Sequence, residues 1–137
     1  MTKHQVYLGL GSNLGEKEEN IHKAIKLIGE RVGLVVRQSS LIMTEPWGFE
    51  SDNAFVNAAV LCETMLTPRQ VLRATQKIER ELGRTHKSIA GHYADRLIDI
   101  DILLYDDLRV DEPDLQIPHP LMHERDFVMI PLGEIRD

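Results

Sequence analysis

The order of apolar periodicities along the chain predicts an α+β fold. Period-two stretches alternate with period-3.6 stretches as strand, helix, strand, strand, helix, strand. Glycine closes both helical stretches, at Gly33 and Gly83. Two strands carry apolar residues on one face and polar residues on the other, which suits a sheet covered by helices on one side. This βαββαβ order is that of a ferredoxin-like sandwich, a four-stranded antiparallel core sheet with both helices on one face. A short C-terminal β/helical appendix follows. A length of 137 residues fits a single domain, 1–137, with no repeat or linker.

Gln5 to Leu10 reads as the first strand, running into Gly9-Leu10-Gly11-Ser12-Asn13-Leu14-Gly15. Its glycines and asparagine mark a tight turn before a helix. No Gly-Lys-Ser/Thr follows, so it is not a Walker loop, and the glycine spacing does not match a dinucleotide fingerprint. Glu16 to Arg31 is an amphipathic helix with Ile21, Ala24, Ile25 and Ile28 on one stripe. Leu34 to Met43 is a second strand with Val35 and Val36 at its heart. The stretch Thr44 to Asp52 holds the only tryptophan, Trp47, with Phe49 and Pro46. Such rings either pack back on the domain or cover a ligand.

Asn53 to Thr64 is the third strand, its core face Val56, Ala58, Val60 and Cys62. Phe55 and Asn57 share the other face. A ring beside a carboxamide suits a flat heterocycle, stacked and paired at its edge, although an edge Phe and a turn-bonding Asn read equally simply. Thr67-Pro68-Arg69-Gln70 is a capping box that starts a helix ending at Gly83. Val71, Leu72, Ile78 and Leu82 form its buried stripe, and Gln76 and Glu79 lie one turn apart.

Leu97 to Leu104 is the fourth strand. Strand alternation puts Ile98, Ile100, Ile102 and Leu104 on one face and Asp99 and Asp101 on the other. Their Cα atoms should lie roughly 6–7 Å apart, from a rise of about 3.3 Å per residue. Two carboxylates so spaced suit a shared hard cation or a pair of them; solvated aspartates on an open edge are the plainer reading. Before them, Arg84 to Asp95 is a loop with Arg84, His86, Lys87, His92 and Arg96 in or beside it, either a solvated basic loop or the cations a metal–polyphosphate complex needs. Beyond the strand, Leu108 to Val110 is a short strand. In Ile117-Pro118-His119-Pro120 the histidine is held between two prolines. Short helices follow at Met122 to Glu124 and near Phe127 to Ile135. Arg125 and Phe127 put a cation and a ring two residues apart. The opposite sheet face should collect Phe55, Asn57, Asp99 and Asp101, covered only by loops.

The formal net charge of −6 argues against broad nucleic-acid binding. One cysteine allows no intramolecular disulfide, and Cys62 reads as a small core residue. No signal-peptide pattern and no transmembrane-length apolar run is visible, so a cytoplasmic protein without a membrane partner is expected.

Taken together, Gly11-Ser12-Asn13, Phe55-Val56-Asn57-Ala58, Arg96-Leu97-Ile98-Asp99-Ile100-Asp101 and Ile117-Pro118-His119-Pro120 resemble the 6-hydroxymethyl-7,8-dihydropterin pyrophosphokinase family, over essentially the whole chain. The resemblance implies transfer of diphosphate from ATP to the pterin's hydroxymethyl group, with release of AMP, in folate biosynthesis. It implies that Asp99 and Asp101 hold two Mg2+ ions, with Arg84 and Arg96 as phosphate-side cations. Gln76, Glu79, Ile102, His119 and Arg125 fall at nucleotide positions. Thr44, Pro46, Phe55, Asn57, Tyr93 and Phe127 fall at pterin positions. Departures from the family pattern are Tyr93 for a common Trp, His86 for a frequent Arg, Asp95 for Pro, and Pro120 for an aromatic. A monomer is expected. The competing readings are a noncatalytic small-ligand or RNA module of the same fold and a two-metal phosphohydrolase.

Overall fold

The computed structural model describes residues 3–44, 54–83 and 97–136. In chain order the elements are β1 (His4–Ser12), α1 (Lys17–Arg31), β2 (Gly33–Gln38), β3 (Ile42–Thr44), β4 (Phe55–Thr64), α2 (Pro68–Gly83), β5 (Asp99–Tyr105), β6 (Val110–Glu112), β7 (Leu115–Ile117), a 3-10 turn (Met122–Glu124) and α3 (Asp126–Ile135). The main sheet runs β2-β4-β1-β5, with β3 also paired to β4, and all of its pairings are antiparallel. The architecture is therefore α+β. β6 and β7 form a separate hairpin.

One face of the sheet is closed by α1 and α2. Val6, Leu8 and Leu10 of β1 and Val56, Ala58, Val60 and Cys62 of β4 meet Ile21, Ala24 and Ile28 of α1 and Val71 and Ile78 of α2. Each Val, Leu or Ile among them, fully buried, contributes about 1.5–3 kcal/mol from removal of apolar surface from water. Burial also pushes the Cys62 thiol up to about 11, which keeps it an unreactive core group. The capping box forms as read. Thr67 Oγ1 accepts from the Gln70 amide at 3.2 Å, and Gln70 Oε1 accepts from the Thr67 amide at 2.9 Å. Arg31 and Glu81 join α1 to α2 through a two-point ion pair.

Five expectations need correction. The stretch 34–43 is not one strand: β2 stops at Gln38, and Ser39 turns to β4 instead, its hydroxyl accepting from the Ala59 amide at 2.8 Å. Of Val35 and Val36, expected at the strand's heart, Val35 packs against the core but Val36 is exposed, because β2 is an edge strand and a register shift between Val35 and Arg37 leaves Val36 outside the pairing. The short strand expected at 108–110 starts only at Val110, since Asp106, at φ 48°, and Asp107 turn the chain first.

The fourth correction concerns the second face, expected to be covered by loops alone. α3 lies across part of it, burying Leu103, Met122, Val128 and Leu132 in one cluster and Ala59, Leu61 and Ile135 in another. The reason is composition: apolar residues occupy most positions of Phe127 to Ile135, so this helix has no polar face to leave wet. Leu104 also joins this side, not the isoleucines. Leu8 pairs with Ile102 but Tyr7 with Leu104, so a bulge at Leu103 reverses the alternation, and Tyr105 returns to the helix-side core.

Candidate active site

The register of β4, β1 and β5 builds the site. Asn57 lies opposite Gly11, and Gly11 opposite Asp99; two residues along, Ala59 lies opposite Gly9, and Gly9 opposite Asp101. Directly opposed residues share a face. Asn57 and Asp99 thus stand on the same face, about 10 Å apart across two strand spacings, with only a glycine between them. Phe55 is close by, half-buried at the start of β4. Asn57 is buried, and Asp99 and Asp101 are half-buried. α3 covers the far half of this face and brings its first turn up to the site. There the Arg125 guanidinium carbon lies 5.6 Å from the Phe127 ring centre, a cation–π contact.

Glu79 reaches β5 from α2. Its Oε2 accepts from the Ile100 amide at 2.8 Å, and it shares a side-chain hydrogen bond with Asp99. β5 is a sheet edge, so this amide has no strand partner on that side, and the carboxylate satisfies it. Burial pushes the Glu79 carboxyl up to about 8; the Ile100 amide opposes this, while the charge and hydrogen bond of Asp99 and the charge of Asp101 add to it. The folded chain therefore binds a proton there that the unfolded chain releases above about pH 4–5. Stability contributed by this group is complete below that value and is lost as pH rises toward 8. In metal-free buffer, urea unfolding should show a loss of ~2 kcal/mol between pH 5.5 and 8, with most of that slope absent in Glu79→Gln. An equal slope in the variant would mean that another group carries it.

His119 also belongs here. Burial and the nearby Arg125 lower its pKa, and Asp99 opposes them. Its Nδ1 accepts from the Leu121 amide at 3.4 Å, which assigns the proton of the neutral ring to Nε2. Its amide donates to Leu103 O at 3.1 Å, which holds its backbone beside β5.

The structure thus brings together Phe55, Asn57, Asp99, Asp101, Glu79 and His119, with Arg125 and Phe127 at the border. Gln76 is exposed, one turn before Glu79. The Ile102 side chain is buried in the core, so only its backbone can face the β5 edge. Thr44 is placed by its backbone, opposite Phe55. Pro46, Arg84, Tyr93 and Arg96 lie outside the described residues, as do Trp47, Phe49 and His86. Sequence reasoning passed over Lys17, whose ammonium donates to Ala54 O at 3.0 Å and ties down the entry to β4 just ahead of Phe55. The signal was available: a lysine opening a helix opposes the helix dipole and so needs another purpose.

These elements define a class, an α+β domain with an acidic, ring-flanked patch on the open part of an antiparallel sheet. Residues 7–137 match the family model described as 7,8-dihydro-6-hydroxymethylpterin-pyrophosphokinase (HPPK). The chain belongs to this family. It is 50% identical over 131 residues to the 2-amino-4-hydroxy-6-hydroxymethyldihydropteridine pyrophosphokinase of Porphyromonas gingivalis, covering 95% of this chain and 89% of that one. It is 40% identical over 130 residues to the Bacillus subtilis enzyme of the same name, covering 94% and 76%. Among solved structures it is similar in fold to an HPPK-DHPS in complex with substrates, at a TM-score of 0.74 and 15% identity. That match covers 98% of this chain, which spans 40% of the other. Among the described residues, no helix is long and apolar enough to cross a membrane.

Proposed function

We propose that this chain transfers the diphosphoryl group of ATP to the hydroxymethyl group of 6-hydroxymethyl-7,8-dihydropterin, producing AMP and the pterin diphosphate for folate biosynthesis. The pterin oxygen forms a bond to the β-phosphorus, the bond from that phosphorus to the oxygen bridging it to the α-phosphorus breaks, and AMP leaves with the bridging oxygen. The alcohol's proton is released to solvent water. One observation supports this reading above the others: the row Asn57–Gly11–Asp99 has a carboxamide and a carboxylate on one face with only a glycine between them, as an amide reading a heterocycle's edge beside a metal-holding carboxylate would require.

The alcohol is itself the nucleophile, so the residues need only align two substrates and screen charge. Asn57 pairs with the polar edge of the pterin, and Phe55 and Phe127 stack on its faces. Thr44, Pro46 and Tyr93 complete that pocket. Gln76, Glu79, the Ile102 backbone, His119 and Arg125 serve the nucleotide, and Arg84 and Arg96 its phosphates. Asp99 and Asp101 would hold two Mg2+ ions. The donor set fits: burial, with the added charges of Asp99 and Asp101, holds a proton on Glu79, and a divalent cation would relieve the carboxylate repulsion among them. Among the described residues no three metal-binding side chains form a closed cage. Magnesium that handles polyphosphates commonly takes one or two carboxylates and fills its shell with phosphate and water oxygens. When bound, it supplies neutralisation of phosphate charge and acidification of the alcohol.

The strand order β2-β4-β1-β5 supports a ferredoxin-like core, to which β6, β7 and α3 add a C-terminal appendix. We read residues 1–137 as one domain acting as a monomer in the cytoplasm.

The deciding experiment mixes the protein with ATP, magnesium and the hydroxymethyl dihydropterin and follows products by phosphorus NMR. AMP should form only when the pterin is present. ADP would mean single-phosphoryl transfer, and phosphate released without pterin would mean a hydrolase; either would replace this reading.

A further inference from the structure

Gly11 is extended backbone in the body of β1, and Gly15 is where the left-handed conformation of this stretch falls, so no turn requires a glycine at position 11. A glycine inside a strand weakens it and commonly marks close approach by another group. The approach here is visible. A Cβ on Gly11 would lie 3.0 Å from Asn57 Oδ1 and 3.4 Å from Phe55 Cδ1. The first distance is tighter than most real contacts of a Cβ, and the group it meets is a buried carboxamide with little room to retreat. Gly9, the next glycine on the same face, contrasts with it: the atoms nearest to a Cβ there belong to the flexible Leu103 side chain, the closest at 3.3 Å.

We propose that Gly11 is a positioning residue of the acceptor pocket. Lacking a side chain, it lets the Asn57 carboxamide and the Phe55 ring settle against β1. It thereby sets the depth at which a flat, polar-edged heterocycle lies, and with it the reach of that heterocycle's alcohol toward Asp99 on the neighbouring strand. This rests on the pterin reading above and adds to it a residue that acts through Asn57 without forming a hydrogen bond to the ligand.

The test is a cycle of Gly11→Ala, Asn57→Ala and the double variant. Gly11→Ala should raise the KM for the hydroxymethyl dihydropterin about tenfold or more while leaving the KM for ATP within about twofold. In the Asn57→Ala background, where no Oδ1 remains to be displaced, adding Gly11→Ala should change the pterin KM by less than about twofold. Additive effects, or an equal rise in both KM values, would overturn the proposal. If Gly11→Ala alone does not fold but the double variant does, the Oδ1 contact is the limiting one and the proposal stands. If neither folds, Gly11 serves sheet packing and the proposal fails. A ligand-free readout separates this from the functional reading: the side-chain amide resonance of Asn57 should shift in Gly11→Ala. An unmoved resonance sinks the role of Gly11 whether or not the wild type makes AMP, and a wild type that makes none sinks only the reaction.

Discussion

Replacing Asp101 with alanine should reduce AMP formation about 10³-fold or more, equivalent to ~4 kcal/mol of lost transition-state stabilisation, while the protein stays folded. Few single substitutions have such an asymmetric expectation, and the position of the residue is the cause. The Asp101 side chain leaves β5 on the open face, opposite Gly9, while Ile100 and Ile102 beside it hold the strand in the core from the other face. Truncation therefore leaves no core cavity. It also removes one of the negative charges that raise the proton affinity of Glu79, so stability should hold or rise slightly at neutral pH. Activity is the opposite case. In the reaction proposed here Asp99 and Asp101 would hold the metal together, and one carboxylate alone would fix it against the nucleotide less well than two. Steady-state AMP formation with saturating ATP and pterin, beside a urea unfolding curve, checks both halves. Activity within tenfold of wild type in a folded variant would remove Asp101 from the metal site.

The second large effect is on stability and lies at the other end of the sheet. Gly33→Ala should destabilise the fold by ~3 kcal/mol or more, the range in which overpacking and backbone displacement fall together. A Cβ at Gly33 would overlap the carbonyl oxygen of Glu63 and crowd the Glu63 carbonyl carbon and Thr64 Cα, at 2.9 and 3.0 Å. These are backbone atoms of β4, the strand that pairs with β1, β2 and β3, and cannot swing aside as a side-chain tip can. The junction is pinned besides: Thr64 Oγ1 donates to Val32 O at 2.5 Å and accepts from the Leu66 amide at 3.1 Å. Relief requires β2 to lift away from β4. Because Phe55 and Asn57 occupy the opposite end of β4, turnover per folded molecule should stay near wild type. Denaturant midpoints and active-site-normalised rates separate the two quantities. A shift below ~1 kcal/mol would show that β2 accommodates the methyl group without cost.

How far the site could be read before folding depended on the range of the interaction involved. Asp99 and Asp101 were legible because strand alternation is a property of one residue and its immediate neighbours. The sorting of Phe55 and Asn57 from Val56, Ala58, Val60 and Cys62 was legible for the same reason. The Thr67–Gln70 capping box spans three residues and formed as read. Leu104 failed that logic, since the bulge at Leu103 is a slip between β5 and β1, and nothing within β5 announces it. The break between β2 and β3 depends on the Ser39 hydroxyl taking the Ala59 amide, twenty positions on. The covering of the second face by α3 was open to inference from that helix's lack of a polar side, but its landing place was not.

The sequence by itself determined which residues face together along each strand, where the helices begin, and that two carboxylates stand side by side in an apolar strand. Only the tertiary structure decided that Asn57, Gly11 and Asp99 line up across three strands, that Glu79 arrives from α2 to hold the Ile100 amide, and that His119 and Arg125 close the border. The physical reason is that periodicity is fixed by backbone geometry over a few bonds. Register between strands is fixed by pairing and core packing between segments many residues apart, and it exists only once they have met.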